Sequence, residues 1–360
     1  MSHAIVLSRS LEKKEWMVLV ILFLTILYAY IGVVAFVAYV MAGWYILFGK
    51  GNLLLADLIF CLVFGIFATI NIYFIEPVEW ILLNRFYLGF CFFYLFIQKK
   101  SVIIDIDNLL LVLCCLTIVD LILVNFLIAP EMMPNYPVKD GQLIHSLESF
   151  GGAYNRPYSF GGSASVTSCI LVALLASSKS KRLIFKLFVF LTVFVVYSGT
   201  GYGALFVYLI FKNRIFAFLV FVLILFGVIG VMQVGDDYQK LDPQYFLFLI
   251  DFKIQQFNEL IPNMPSWRYL FGFASDSYGG RGGDFGLLTF FLGQGLILAV
   301  LFLAFFVKKL NRYNALPLLI LFIGTLHYSV IFYYVGQFIF AYFLNYGGKG
   351  SSVAQLQTSS

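Results

Sequence analysis

Three arginines in the polar stretches of this chain carry the side-chain chemistry best suited to binding an anion. Arg156 lies in Asn155-Arg-Pro-Tyr-Ser-Phe-Gly-Gly-Ser-Ala-Ser, directly before an apolar run. Arg281 lies in Gly279-Gly-Arg-Gly-Gly283, also just before an apolar run, and Arg268 precedes it. A guanidinium offers paired donors to a phosphate and keeps its charge. Because glycines allow close backbone approach and a helix start favours an anion, we interpret these stretches as phosphate-binding candidates.

Groups that can move a proton lie in the same stretches. Asp284 follows Arg281 at a predicted helix start, where its carboxylate can act as a general base or as an N-cap. His145 is either a second candidate base or a surface histidine, and His327 is either a site residue or a hydrogen-bonded structural one. Four residues are expected to contact the substrate: Tyr158, Asp276, Tyr278 and His327.

The rest of the chain is predominantly apolar. Its residues are 62% hydrophobic and 11% charged. Continuous apolar runs of about 18 or more residues are typical of transmembrane helices, whereas barrel strands alternate. The net charge of +5 comes from short Lys/Arg clusters between these runs, which is the pattern of cytoplasmic loops and does not indicate nucleic-acid binding. The five cysteines lie in apolar runs without metal-ligand spacing, so we expect them to be core residues rather than metal ligands. The sequence contains no Walker-type phosphate loop, no His/Cys cluster and no dinucleotide fingerprint preceded by a strand, and we expect no cofactor.

The basic clusters predict an all-α polytopic membrane protein of about twelve transmembrane helices with both termini in the cytoplasm. Trp16–Phe48 carries no charge, and a hairpin turning near Tyr30–Gly32 puts every later basic cluster on the cytoplasmic side. The same reasoning makes Leu316–Tyr346 a hairpin. The other predicted spans are Leu53–Phe74, Trp80–Gln98, Leu109–Ile128, Gly162–Ala176, Leu183–Tyr197, a short span ending near Phe211, Ile215–Met232 and Phe285–Val307.

Residues 1–346 are therefore predicted to form a single helical membrane domain. Two larger outer (periplasmic) loops are expected at about 130–161 and 233–284, and residues 347–360 are expected to be a disordered tail. In the second loop, apolar residues between Phe246 and Ile261 recur at steps of three and four, which predicts an amphipathic helix. This helix can lie in the membrane interface or pack on the roof of the bundle.

Charged residues also fall inside the predicted spans. Arg85 and Asp120 lie in the outer halves of adjacent spans, where charges are costly and are either paired or functional. Either the two form a pair, or Arg85 helps to hold a phosphate in an outward-open cleft. Asp57 lies near the cytoplasmic end of its span, where we expect it to be solvated. Arginines at small-residue helix starts on one membrane face indicate an anionic lipid headgroup, most naturally a polyprenyl diphosphate.

With these features, the chain resembles the Wzy-type polymerases of O-antigen and capsular repeats, which are related to the O-antigen ligases. The local matches are Asn155–Gly162, Tyr197–Gly203, Phe271–Phe273, Gly283–Leu288 and Gly293–Ile297. Arg268 also stands eleven residues before Gly279, a spacing described for the outer loops of some members. The turn at Ser198 lacks the arginine often found there, and Arg156 has no glycine at the eleven-residue spacing. The second loop contains no histidine, which favours a polymerase over a ligase.

The resemblance implies a GT-C-like, metal-independent glycosyltransferase in the bacterial inner membrane. A growing glycan on undecaprenyl diphosphate would be the donor and a lipid-linked repeat unit the acceptor, with membrane lipids and a chain-length regulator as further partners. The diphosphate would be held by Arg85, Arg156, Arg268 and Arg281. Asp284 or His145 would activate the acceptor hydroxyl. The alternatives are an O-antigen ligase-like transferase and a non-enzymatic flippase or transporter of lipid-linked sugars.

Overall fold

The computed structural model describes residues 13–31, 34–70, 77–102, 104–128, 138–139, 142–143, 156–212, 251, 254–255, 258, 266–272, 286–327, 330 and 333–346. These residues are almost entirely helical. The α-helices among them are α1 (Lys13–Leu27), α2 (Val34–Phe48), α3 (Leu55–Ile70), α4 (Pro77–Lys100), α5 (Ile106–Ile122), α6 (Ala164–Ser177), α7 (Leu183–Val196), α8 (Gly199–Lys212), α9 (Ser266–Phe271), α10 (Gly286–Lys309), α11 (Ala315–His327) and α12 (Tyr334–Tyr346). A π-helical turn, Leu123–Leu127, extends α5, and a 3-10 turn, Ser159–Gly161, precedes α6. The two-residue strands β1 (Val138–Lys139) and β2 (Gln142–Leu143) pair antiparallel.

The positions of the helices confirm the all-helical prediction. Every described α-helix except α9 coincides with a predicted span, and both predicted hairpins are helix pairs, α1–α2 and α11–α12. The predicted span Ile215–Met232 and the tail 347–360 lie outside the described residues, as do most of the two predicted loops. Of the predicted amphipathic helix, residues 251, 254, 255 and 258 are described, and they are helical and exposed.

Hydrogen bonds between helix ends show that α5 runs antiparallel to α6 and that α3 runs antiparallel to α10. Ser178, after α6, donates to the Asp107 carboxylate at the start of α5 over 2.5 Å. Asp57, near the start of α3, pairs with Lys309 at the end of α10 over 2.7 Å. We call the end that holds these four residues the basic end, since the lysine pairs that finish α4 and α10 lie there. The opposite end, which holds Tyr30, Asp120, Arg156 and Ser198, is called the loop end.

Helix α6 is the centre of the bundle. All of its residues from Ala164 to Ala176 are buried, and it contacts α5, α7, α8, α11 and α12. Its first half, at the loop end, reads Ala-Ser-Val-Thr-Ser-Cys, so its neighbours meet small and hydroxyl-bearing side chains. Small residues let helix backbones approach closely, and hydroxyls can bond across helices or to their own backbone. A helix of this composition is therefore buried through close packing of small side chains.

The outer surface of the bundle carries large apolar side chains. Exposed fractions reach 70% at Val40, 73% at Leu47, 79% at Phe126 and 83% at Ile184. Monomeric soluble proteins rarely expose extended apolar surface. Among the described residues, the continuous helix Ile106–Leu127 is long and apolar enough to cross a membrane. Several other apolar helices are shorter, such as the 14-residue α6 and α7, each roughly 21 Å long at 1.5 Å per residue. The long helix supports association with a membrane.

The environment of Asp57 corrects the sequence prediction. Asp57 is buried rather than solvated. Its carboxylate accepts hydrogen bonds from Lys309 over 2.7 Å, from the Tyr94 hydroxyl over 2.8 Å, and from the Gln98 amide. The prediction was wrong because the end of α10, far along the chain, covers the start of α3. A buried carboxylate requires such partners, because loss of hydration is otherwise uncompensated.

Candidate functional site at the loop end of the bundle

The turn that carries Arg156 is folded onto the first turns of α6 by Thr167. The Thr167 hydroxyl donates to the carbonyl of Tyr158 over 2.6 Å and accepts the backbone N–H of Gly161 over 3.1 Å. Both bonds are buried. A Cβ at position 161 would come within 3.0 Å of the Thr167 hydroxyl and backbone, so glycine is required there by close approach. A single side chain thus fixes both ends of the segment Tyr158–Gly161.

The same turn contains two left-handed residues. Ser159 has φ +53°, although it is not a glycine, and Gly162 has φ +66°. For an L-residue other than glycine, the left-handed region costs about 1–2 kcal/mol and persists only where surrounding contacts impose it. Ser159 is fully buried. Such conformations cluster at functional sites, and here the strained residue lies three positions after Arg156.

Arg156 is held beside an aromatic ring. Its guanidinium carbon lies 5.6 Å from the ring centroid of Tyr158, within the range of a cation–π contact. Its Nε atom and the Tyr158 side chain are both buried. A cation kept at a partly dehydrated position interacts more strongly with an incoming anion than one in bulk water. The guanidinium of Arg156, held beside Tyr158, can therefore bind a phosphate group through both ionic attraction and hydrogen bonds.

A buried carboxylate lies next to this turn. Asp120, on the last turn of α5, is 1% exposed. It accepts a hydrogen bond from the hydroxyl of Tyr30, which follows α1, and another from the side chain of Ser159. Thr117, one turn earlier on α5, places its hydroxyl 3.3 Å from that of Ser159. The turn before α6 is thus connected to both α5 and the end of α1.

The first turn of α8 lies beside the first turn of α6. The hydroxyls of Ser165 and Ser198 are 3.1 Å apart, and Ser198 also accepts the backbone N–H of Gly201 over 3.3 Å as an N-cap. A Cβ at Gly201 would come within 3.0 Å of the Ser168 side chain, so this glycine permits the close packing of the two helices. Two helix N-termini therefore meet at the loop end, and the positive ends of their dipoles favour a negative charge nearby.

Helix α10 is interrupted at Gly295, a feature that its apolar sequence did not predict. Gly295 has φ +75° and ψ 168°, and a Cβ there would come within 3.0 Å of the backbone of Gly272 and Phe271. The short helix α9 consequently packs into the break. Phe271 also lies 6.3 Å from Phe67 near the loop end of α3, measured between ring centroids. Helix α9, which belongs to the second predicted loop, thus lies against both α3 and α10 at this point.

Of the sequence-predicted site residues, the structure brings Arg156 and Tyr158 together. The backbone places Arg85 in the first half of α4, Arg268 within α9 and His327 at the end of α11, all in segments that reach the loop end. Their side chains lie outside the described residues. The same holds for the whole of His145, Asp276, Tyr278, Arg281 and Asp284, whose roles stay predictions. The proposed pairing of Arg85 with Asp120 also stays a prediction.

Several residues of this region were missed by sequence reasoning. Thr167, Ser159 and Tyr30 carry the hydrogen bonds that shape the turn, but the local sequence does not distinguish any one of these hydroxyls from its neighbours. The available signal was the density of small polar residues from Ser159 to Ser168, which is unusual in a membrane-type helix. Within the described residues, no group of three or more His, Cys, Asp or Glu side chains could hold a metal ion.

Comparison with known proteins adds no assignment to this geometry: no family model, no curated protein and no solved structure matches the chain.

Proposed function

We propose that this protein is a membrane-embedded glycosyltransferase that polymerises lipid-linked oligosaccharide repeat units. The observation that carries the proposal is the partly buried Arg156, fixed beside Tyr158 at the N-terminus of the central helix. An arginine in this setting suits a diphosphate, because the guanidinium supplies bidentate donors and the helix start supplies further N–H groups. The exposed apolar surface of the bundle suits a lipid environment and a polyprenyl carrier.

The proposed orientation in the membrane follows from the lysine and arginine residues at the basic end. Lysine and arginine clusters mark cytoplasmic loops, so the basic end faces the cytoplasm and the loop end faces the outside of the inner membrane of a bacterium. About twelve helices would span the bilayer with both termini inside. The donor would be a growing glycan on undecaprenyl diphosphate, and a lipid-linked repeat unit would be the acceptor.

The reaction would be a displacement at the anomeric carbon of the donor. The acceptor hydroxyl oxygen forms a bond to that carbon, the bond from the carbon to the diphosphate oxygen breaks, and the diphosphate leaves with the bonding electrons. Arg156, with Arg85, Arg268 and Arg281 as further candidates, would stabilise the charge that develops on the leaving diphosphate. Asp284 or His145 would take the proton from the acceptor hydroxyl.

The test uses purified full-length protein and a lipid-linked repeat unit, with products separated as a glycan ladder. We expect wild-type protein to form a ladder and Arg156→Ala to lose it. Arg156→Lys should keep only a small fraction of the rate, because lysine retains the charge but not the bidentate donors. Arg182→Ala is the matched control, since Arg182 is an exposed arginine at the basic end. Full ladders from Arg156→Ala would refute the assignment of this site.

A flippase of lipid-linked sugars is the second candidate, and the observation that favours it is the ion pair between the buried Asp57 and the partly buried Lys309. A transporter needs polar, breakable contacts at both ends of the bundle, and this pair would close the basic end in an outward-open state. In sealed vesicles, movement of intact lipid-linked repeats without ladder formation would support the flippase and overturn the polymerase. Ladder formation from substrate supplied only at the loop-end face would support the polymerase.

A further inference from the structure

We propose that Asp120 is a positioning residue that holds the turn carrying Arg156 in its anion-binding geometry. Its link to Arg156 runs through Ser159, whose side chain bonds the carboxylate and whose backbone is left-handed. The inference rests on the proposed function, because it takes Arg156 to bind the diphosphate of a lipid.

The burial of Asp120 excludes direct contact with a substrate. The residue is 1% exposed, and Tyr30 and Ser159 occupy its carboxylate. A carboxylate in such a place costs free energy unless its hydrogen bonds are made, and intramembrane acids persist where they serve a function. The carboxylate is therefore a structural acceptor for the two hydroxyls that approach it.

The two donors belong to different parts of the chain. Tyr30 follows α1, ninety residues before Asp120, and Ser159 lies in the turn before α6. Directly after Asp120 the helix widens into the π-helical turn Leu123–Leu127, a form that is common at functional sites. Asp120 thus joins three segments at the loop end, and one of them carries Arg156.

The backbone of Ser159 explains why this joint matters for Arg156. A serine in the left-handed region reverts to an ordinary conformation unless contacts prevent it. Asp120 and Thr117 hold its side chain from the α5 side, while Thr167 holds the adjoining backbone from the α6 side. If the Asp120 contact weakens, relaxation of Ser159 changes the direction of the chain toward Tyr158 and Arg156.

The experiment measures binding of undecaprenyl diphosphate to purified full-length protein in detergent micelles. We expect Asp120→Asn to weaken binding about tenfold, since a hydrogen bond to a charged group is worth at least that factor. Tyr30→Phe, which deletes one hydroxyl and preserves packing, should weaken it about threefold. The control is Thr192→Val, because Thr192 is a buried hydroxyl that bonds its own helix.

The decisive measurement is the double variant Asp120→Asn/Arg156→Ala. If Asp120 acts through Arg156, the double variant binds no more weakly than Arg156→Ala alone. Additive losses, or unchanged binding in both Asp120→Asn and Tyr30→Phe, overturn the positioning role. If Asp120→Asn does not fold, Tyr30→Phe decides. If the losses of binding in the two single variants are not additive but the wild-type protein forms no ladder, the polymerase is refuted and the positioning role is retained. If the wild-type protein does not bind the lipid, both are refuted.

Discussion

Replacing Thr167 with valine should loosen the turn that carries Arg156. Valine has nearly the shape of threonine but cannot replace its hydroxyl, which bonds Tyr158 over 2.6 Å and Gly161 over 3.1 Å. The substitution leaves one carbonyl and one N–H without this partner in a buried place. Each such group costs about 1–3 kcal/mol, so the closed turn should lose about 2–6 kcal/mol relative to its opened forms.

Hydrogen exchange measures this loss directly. Because 1.4 kcal/mol corresponds to a factor of ten in an opening equilibrium, a loss of 2 kcal/mol or more should speed exchange of the Gly161 amide about 30-fold or more. The assay is mass spectrometry of peptides covering residues 156–163 after exchange in micelles. The rate for peptides from α7 is the internal reference.

Thr167→Ser is the matched control, because serine keeps the hydroxyl and removes only a methyl group. Loss of a buried methyl costs roughly 0.8 kcal/mol, so exchange at Gly161 should rise only about fourfold. If Thr167→Val and Thr167→Ser exchange at the same rate, the hydroxyl does not hold the turn and the described geometry is refuted.

Two further predictions concern the packing of the bundle. Gly295→Ala should destabilise the protein by about 2–5 kcal/mol, because it combines a left-handed backbone with overpacking against α9; reversible unfolding in SDS, followed by ellipticity, measures this. Gly65→Ala is its control, since a Cβ there meets nothing within 4 Å, and equal stability of the two variants would contradict the packing at the break. Lys309→Met should cost about 3 kcal/mol by leaving Asp57 buried without its cation, and Asp57→Asn/Lys309→Met should recover most of that loss. A double variant as unstable as the single one would show that the lysine acts through its packing rather than its charge.

Much of the helical layout could be predicted from the sequence. Apolar runs separated by basic clusters fixed the positions of the described helices other than α9, because the cost of burying charge in an apolar environment is a local property of composition. The hairpin α1–α2 was predicted correctly for the same reason, since a single span would have put later lysines on the opposite side.

The break in α10 and the environments of the buried charges could not be predicted in this way. Gly293-Gln-Gly295 is compatible with a continuous helix, and the left-handed Gly295 arises from the packing of α9, which is a tertiary contact. Asp120 was placed inside the bundle by composition, but its donor Tyr30 lies ninety residues away. Asp57 was expected to be solvated because its partner Lys309 lies 252 positions away, so the local sequence does not indicate the ion pair.

Arg156 and Tyr158 show what local sequence can establish about the candidate site. Their separation of two residues and the following glycines indicated an anion-binding turn before a helix. The left-handed Ser159 and the contacts of Thr167 depend on residues that approach only after folding. The position of Arg156 and Tyr158 before a helix could therefore be predicted from the sequence, the contacts that hold their turn could not, and the anion-binding role stays a prediction.

The Asp57–Lys309 pair has a consequence for the order in which this protein is made. The two residues are separated by 252 positions, and at about 5–20 residues per second the ribosome needs roughly 10–50 s to synthesise the segment between them. During that interval α3 has already been made, while the lysine that neutralises its carboxylate does not yet exist. The position of Asp57 in the first turn of α3 allows the carboxylate to stay hydrated until α10 has been made. Formation of this ion pair is therefore a late step of synthesis, and α3 is expected to reach its final packing only after α10 has been made.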